Sequence, residues 1–233
     1  AQETYEQTVR AFNLAERFMT PVILLLDEIV GHTTEKVVIP DQSDIEVISR
    51  KKPEESPEDY LPYRETETGI TVLANFGTGY RYNVTGLCHD STGFPTNDSK
   101  EIEKNIRRIV RKIEGNRDQI IDYRENMTGD AEVIIFAYGS VSRSARSAVE
   151  MCREEGIRVG ILEPTVIWPF CYDKVRELAG QVNTFVVPEM NLGQMAREVK
   201  LGVEGKAEVV SLNRIDGEPI KPAQIVEKVK EVV

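Results

Sequence analysis

The chain has 233 residues, 40% of them hydrophobic and 29% charged, which is ample apolar material for a core in one or two domains. A net charge of −10 with no dense basic cluster argues against nucleic acid as a partner. The longest apolar run, near residues 21–26, is far too short to span a membrane, so no membrane role is expected.

The three cysteines, Cys88, Cys152 and Cys171, are widely spaced and form no CxxC pair. A zinc or iron–sulfur site within this chain is therefore not expected. An odd, sparse cysteine count fits a reducing compartment, and a cytoplasmic location is expected. Asn-X-Ser/Thr triplets at 83–85, 97–99 and 126–128 read as chance matches, because no signal peptide accompanies them.

In chain order, residues 1–19 predict an amphipathic helix, with Tyr5, Val9, Phe12, Ala15 and Met19 at spacings of three or four. The chain enters this helix with no initiator Met and no leading strand, as a piece of a longer protein would. Pro21 ends it, and VILLL at 22–26 predicts a strand buried on both faces. Residues 31–98 are dense in Gly, Pro, Asp and Ser and read as a surface excursion, with short strands expected at 45–49 and 69–76.

Residues 99–123 return to helical spacing. Ser99 is the expected N-cap, and Ile102, Ile106, Ile109, Val110 and Ile113 form an apolar stripe. A break is expected at Gly115–Asn116, and residues 127–130 read as a linker. From residue 131 onward strands and helices alternate. Strands are expected at 132–139, 158–164, 183–189 and 207–213, and helices at 142–155, 172–179, 194–203 and 222–232. This predicts a four-stranded α/β domain with a parallel sheet.

Several loops carry residues capable of chemistry. YGSVSRSA at 138–145 is a strand–turn–helix that could present a helix N-terminus to a phosphate, yet it lacks both GxGxxG and a P-loop lysine. Trp168 sits just beyond a strand end, where ligands gather in parallel sheets, although a Trp flanked by Pro and Phe is more often a packed corner or a subunit contact. In VVPEMNLGQM, Glu189, Asn191 and Gln194 cluster at another strand end, and Gly193 permits a sharp entry into the helix. These read either as a ligand or interface loop or as a helix cap. Asp27, Glu28 and His32 follow the first predicted strand and could do acid–base work, with a structural role as the plainer alternative.

NVTGLCHDSTGFP at 83–95 places Cys88, His89 and Asp90 side by side. Consecutive residues rarely converge on one point, so a dyad or a metal cage made of neighbours is not expected. His89 is the candidate catalytic residue, because histidine as a residue type is the usual acid–base group at physiological pH.

Taken together, AFNLAERFMTPVILLLDEIVGHTTEKVVIP, GYRYNVTGLCHDSTGFP, LEPTVIWPF and PEMNLGQM resemble the α subunit of 2-oxoacid:ferredoxin oxidoreductases, and most closely the 2-oxoglutarate type. The motifs follow one another in consistent order along the whole chain. The resemblance implies an enzyme subunit acting with thiamine diphosphate and Mg²⁺, which oxidatively decarboxylates a 2-oxoacid to acyl-CoA and CO2 and reduces ferredoxin. Coenzyme A would be a substrate. The partners implied are a β subunit and small subunits with iron–sulfur clusters, along with ferredoxin.

For the fold, the resemblance implies a transketolase-C-terminal-like α/β domain at 127–233. Residues 1–45 would be the tail of a thiamine-pyrimidine-binding domain, and 46–126 an irregular excursion plus a connecting helix. His32, Trp168, Glu189, Asn191 and Gln194 would face substrate or neighbouring subunits. The family's Tyr-Pro-Ile-Thr-Pro motif, activating glutamate and substrate-binding arginine are not in this sequence, so the chain by itself is expected to be inactive. A non-catalytic interaction or ligand-binding module is the alternative from another class. A domain of transketolase or of a dehydrogenase E1β chain is a third reading, which TGLCHD and GHTTEKVVIP disfavour.

Overall fold

An amphipathic helix, α1 (Gln2–Phe18), opens the chain and ends where Met19 turns into the left-handed region, its N–H returning to the Ala15 carbonyl. The computed structural model describes all residues except Thr85. Thr85 belongs to the 83–85 triplet and to the 83–95 loop, so that part of both expectations lies outside the described residues. The chain divides into two compact units, Ala1–Ile120 and Ile121–Val233.

The second unit follows the alternation read from the sequence. Its strands are β1 (Tyr123–Asn126), β2 (Val133–Phe136), β3 (Val159–Pro164), β4 (Thr184–Glu189) and β5 (Glu208–Asn213), in the order β1-β3-β2-β4-β5. β2, β3, β4 and β5 pair in parallel. β1 pairs antiparallel to β3, with Tyr123 opposite Pro164. This fifth strand went unpredicted because its residues, YREN, carry no apolar alternation.

Four helices cover this sheet: α5 (Val141–Glu154), α6 (Tyr172–Ala179), α7 (Gln194–Val203) and α8 (Pro222–Lys230). Strand periodicity sorts the core into two layers. Ile134, Phe136, Phe185 and Val187 pack with α6 and α7 through Val175, Leu178, Ala196 and Val199. Val133, Ile135 and Val186 pack with α5 and α8 through Ala145, Val149, Ile225 and Val229. Every residue of β2, β3 and β4 is buried, which is why these strands read as unbroken apolar runs rather than alternating ones.

The first unit departs from expectation. Residues 22–26 form no strand, and Ile23 and Leu25 are 80% and 68% exposed. An apolar run signals a buried strand only where other strands flank it, and among the described residues this segment pairs with none. Residues 45–49 and 69–76 are likewise irregular rather than extended in a sheet. The helices beyond α1 are α2 (Glu28–Gly31), α3 (Ser99–Glu114) and α4 (Arg117–Ile120). The predicted break at Gly115–Asn116 falls between α3 and α4.

Two corrections apply to α3. Asp98 and not Ser99 is the N-cap, its carboxylate accepting from Lys100 N at 2.8 Å and Glu101 N at 3.2 Å. The apolar stripe also does not face the core of its unit: Arg108 and Lys112 are buried, while Ile106, Ile109 and Val110 are exposed.

Candidate functional site

The sequence placed Glu189, Asn191 and Gln194 at the carboxyl end of β4, and the structure joins them into one hydrogen-bonded network. Glu189 is 1% exposed. Its Oε1 accepts from the Tyr138 hydroxyl and from Met195 N, each at 2.9 Å, and its Oε2 accepts from Ala196 N at 3.0 Å. The carboxylate thereby satisfies first-turn donors of α7 that no residue of the helix can reach. Negative charge at a helix N-terminus is also favourable to the helix dipole. Asn191 works beside it: its Oδ1 accepts from Gly193 N at 2.8 Å and Gln194 N at 3.0 Å, while its amide donates to the Tyr138 hydroxyl at 2.9 Å.

Gly193 enters α7 with φ of 85°, the left-handed turn expected there. The Gln194 side chain is exposed. Tyr138, from the end of β2, ties this network across two adjacent strands. Nothing in YGSVSRSA singles out this tyrosine in the sequence, where Gly139 and the serines are the residues that mark a turn into a helix.

The same end of the sheet carries the β3–α6 loop. Trp168 is 70% exposed there and precedes a cis peptide to Pro169. Phe170 is buried and anchors the loop, with its ring 5.6 Å from Phe136 and 4.8 Å from Tyr172. At the end of β3, Glu163 is buried and receives the Arg146 guanidinium through both oxygens, at 2.9 and 3.1 Å from Nε.

In the first unit, the 83–95 loop is held by its own turns. Thr96 N donates to the Cys88 carbonyl at 3.0 Å, and Asp90 N to the Phe94 carbonyl at 3.0 Å. The Asp90 carboxylate accepts from both Thr92 N, at 2.8 Å, and the Thr92 hydroxyl. These bonds hold its carboxyl below the usual range, the hydroxyl contributing most. Gly93 has φ of 87°, and a Cβ there would lie 1.7 Å from the Asn83 carbonyl oxygen, so no other residue fits.

His89 stacks on Tyr63, centroids 3.7 Å apart, and its carbonyl accepts from the Asn105 amide of α3. Arg108, one turn further along α3, lies 5.9 Å from the centroid of the Tyr63 ring and donates to the Gly69 carbonyl at 3.2 Å. Burial pushes the Tyr63 hydroxyl up and the Arg108 guanidinium down from their ordinary values. His89, Tyr63, Asn105 and Arg108 therefore form one assembly that no spacing in the sequence announces, since residues 63 and 108 meet only through the fold. Cys88, adjacent in sequence, is half-buried, whereas Cys152 and Cys171 are buried. His32 stands on the surface with Nε2 2.8 Å from the Glu28 carboxylate, as a pair within one helical turn.

Among the described residues no three or more His, Cys, Asp or Glu side chains converge where a metal ion could be held. The residues present do not by themselves fit a Mg²⁺–diphosphate site. The first turn of α7, where an anion could otherwise settle, already holds Glu189.

Two family models match this architecture. Residues 1–108 match the thiamine-diphosphate-binding region of pyruvate flavodoxin/ferredoxin oxidoreductases, and residues 131–225 match core domain II of pyruvate:ferredoxin oxidoreductases. A subunit KorA of 2-oxoglutarate synthase from Methanothermobacter marburgensis is 42% identical over 229 residues, covering 98% of this chain and 60% of that one. Subunit VorB of a ketoisovalerate oxidoreductase from Methanothermobacter thermautotrophicus is 32% identical, covering 99% of this chain and 58% of that one.

Among solved structures, a 2-oxoglutarate:ferredoxin oxidoreductase from Magnetococcus marinus, with 2-oxoglutarate, coenzyme A and succinyl-CoA bound, is similar with a TM-score of 0.86 and 28% identity. That likeness covers 94% of this chain and 38% of the other. The fold and these matches define the class, an α/β portion of the ferredoxin-linked 2-oxoacid oxidoreductases. The chain belongs to the family of their α subunits. It spans about three fifths of the length of the curated relatives it matches first. No helix among the described residues is long and apolar enough to cross a membrane.

Proposed function

We propose that the chain is part of the α subunit of a thiamine-diphosphate-dependent 2-oxoacid:ferredoxin oxidoreductase that uses 2-oxoglutarate and coenzyme A. The observation that carries this is the 42% identity to a 2-oxoglutarate synthase subunit along nearly the whole chain. The family model for residues 1–108 supports thiamine diphosphate as the cofactor, and the coenzyme A of the similar solved structure supports it as co-substrate. In this reading residues 1–45 are the tail of the pyrimidine-binding domain, 46–126 the excursion and connecting helix, and 127–233 the transketolase-C-terminal-like domain. Mg²⁺, the iron–sulfur clusters and the ferredoxin contact then lie with a β subunit and small partner subunits, in the cytoplasm.

Within this reading His89 is the acid–base candidate. Its support is a half-buried ring held against Tyr63 and a backbone tied to α3. His32, Trp168 and Gln194 are exposed and suit contact with substrate or a neighbouring subunit, and Glu189 and Asn191 position that loop. The exposed run at 22–26 suits a strand completed by further strands of the same domain.

The test is an anaerobic assay of the α subunit encoded by the complete gene, co-purified with its partner subunits. Reduction of a viologen dye should require both 2-oxoglutarate and coenzyme A, and pyruvate should support it less well. Dye reduction that ignores coenzyme A, or none with any 2-oxoacid, would overturn the assignment. The present chain titrated with thiamine diphosphate and Mg²⁺ by calorimetry should show no micromolar binding.

A further inference from the structure

Arg108 is 6% exposed, and among the described residues no carboxylate pairs with it. Glu65, the acid whose charge acts on it, is engaged instead by Lys104 and Arg111, each at 3.2 Å. Burying a guanidinium without an acid is costly, and an apolar side chain of similar volume would pack there with less penalty. The bonds that Arg108 does make all lead toward His89. Its Nη1 donates to the Gly69 carbonyl at 3.2 Å and its Nε to Asn105 Oδ1 at 3.4 Å, while Cζ lies 5.9 Å from the centroid of the Tyr63 ring. Asn105 in turn donates from Nδ2 to the His89 carbonyl, and Tyr63 stacks on the imidazole at 3.7 Å. Arg108 thus engages both of the side chains that engage His89.

The Asn105 amide has one orientation that serves both neighbours. With Oδ1 toward Arg108, its NH2 faces the His89 carbonyl. Reversed, oxygen would meet oxygen and NH2 would meet the guanidinium. Arg108 therefore sets the amide, and the amide holds the His89 backbone. The guanidinium also attracts the Tyr63 ring on which the imidazole rests. The arginine is itself clamped by the turn at residues 66–69. Gly69 has φ of 76°, and a Cβ there would lie 2.9 Å from the Arg108 carbonyl oxygen and 3.2 Å from Lys112 N, so the turn lies directly against α3. We infer that Arg108 is a positioning residue for His89, fixing through Asn105 and Tyr63 where the imidazole stands. Lysine cannot substitute, because a point charge lacks the fork that reaches Gly69, Asn105 and Tyr63 together. The catalytic consequence rests on the reading of His89 as the acid–base group, whereas the geometric one does not.

The chain has only two histidines, so its imidazole C–H resonances are few, and His32→Asn assigns them in a proton NMR spectrum. The His89 signal should lie upfield of the His32 signal, because its ring sits on the face of Tyr63. Arg108→Lys and Asn105→Ala should each move the His89 signal toward that of His32, with the His32 signal and the circular dichroism unchanged. A His89 signal that both variants leave in place would overturn the inference, and so would a wild-type signal with no upfield displacement. Asn105 is only half-buried, so Asn105→Ala keeps the test decisive if Arg108→Lys does not fold. In the co-purified complete enzyme, each variant should lower kcat about tenfold with the KM for 2-oxoglutarate unchanged. His89→Gln should lower kcat at least as far, and adding Arg108→Lys to it should cost nothing more, since both act through one imidazole. Undiminished turnover in His89→Gln would remove the acid–base reading and leave the NMR result to judge the geometry. Turnover lost in His89→Gln but intact in both positioning variants, or losses that add in the double variant, would overturn the positioning role.

Discussion

Glu189 accepts three hydrogen bonds on two oxygens while almost wholly enclosed. A carboxamide in its place has one acceptor oxygen, so Glu189→Gln turns an NH2 group toward a backbone N–H of α7. Such a substitution should lower the unfolding free energy by about 2–4 kcal/mol, from lost charge-assisted bonding and a buried unsatisfied donor. Denaturant unfolding checks this, and a change below about 0.5 kcal/mol would show that the network is not holding α7.

Asp90 gives a residue-level prediction with a sign. Its folded carboxyl titrates below the ordinary 3.8, chiefly because the Thr92 hydroxyl donates to it. A lowered carboxyl contributes stability above its unfolded pKa and loses it as pH falls through the folded value. The advantage of wild type over Asp90→Asn should therefore hold at neutral pH and shrink below pH 3.8. Thermal midpoints of the two proteins, compared from neutral pH downward, measure it. An advantage that does not change with pH would reject the assignment.

Among the elements, α3 shows why a correct helix can still be misread. Its hydrophobic period fixed its type and nearly its ends, but period alone does not say which stripe faces inward. Lys112 is the informative side chain: burial, then the neighbouring Arg108 charge, holds its amine below the usual 10.5. A depressed lysine destabilises while both states are charged, and that cost fades as pH rises through the folded value toward 10.5. Relative to Lys112→Met, wild type should therefore gain stability between neutral and alkaline pH. Unfolding at both pH values tests this, and a parallel pH response of the two proteins would refute it. The four parallel strands and four helices of the second unit, by contrast, were legible to within about three residues, β1 alone being missed, since each of those patterns finds its packing partner within the same unit. Tyr138, Tyr63 and Arg108 were not legible, because their roles depend on contacts between segments distant in sequence.

Across the whole molecule the two units divide by how much apolar surface each encloses. The second has two continuous core layers, whereas the first leaves Ile23, Leu25, Val38, Ile39, Phe76 and Leu87 exposed. In this chain, Ile23→Lys with Leu25→Lys should change stability by no more than about 0.5 kcal/mol per site, as exposed positions do. It should also reduce concentration-dependent light scattering, because a free apolar extended segment is a site for pairing between chains. In the co-purified complete enzyme the same pair should impair assembly, if residues 22–26 are enclosed there as proposed. Unimpaired assembly would tell against that enclosure.

The Glu189 network has one more consequence. Parallel sheets of this kind usually offer the start of a helix, just past a strand, as a docking place for phosphate-bearing molecules. Here that berth at α7 is occupied by the protein's own carboxylate, a built-in counter-ion that never leaves. An incoming diphosphate would meet like charge there instead of open N–H donors. What this end of the sheet leaves open to solvent is instead apolar, at Trp168 and Leu192.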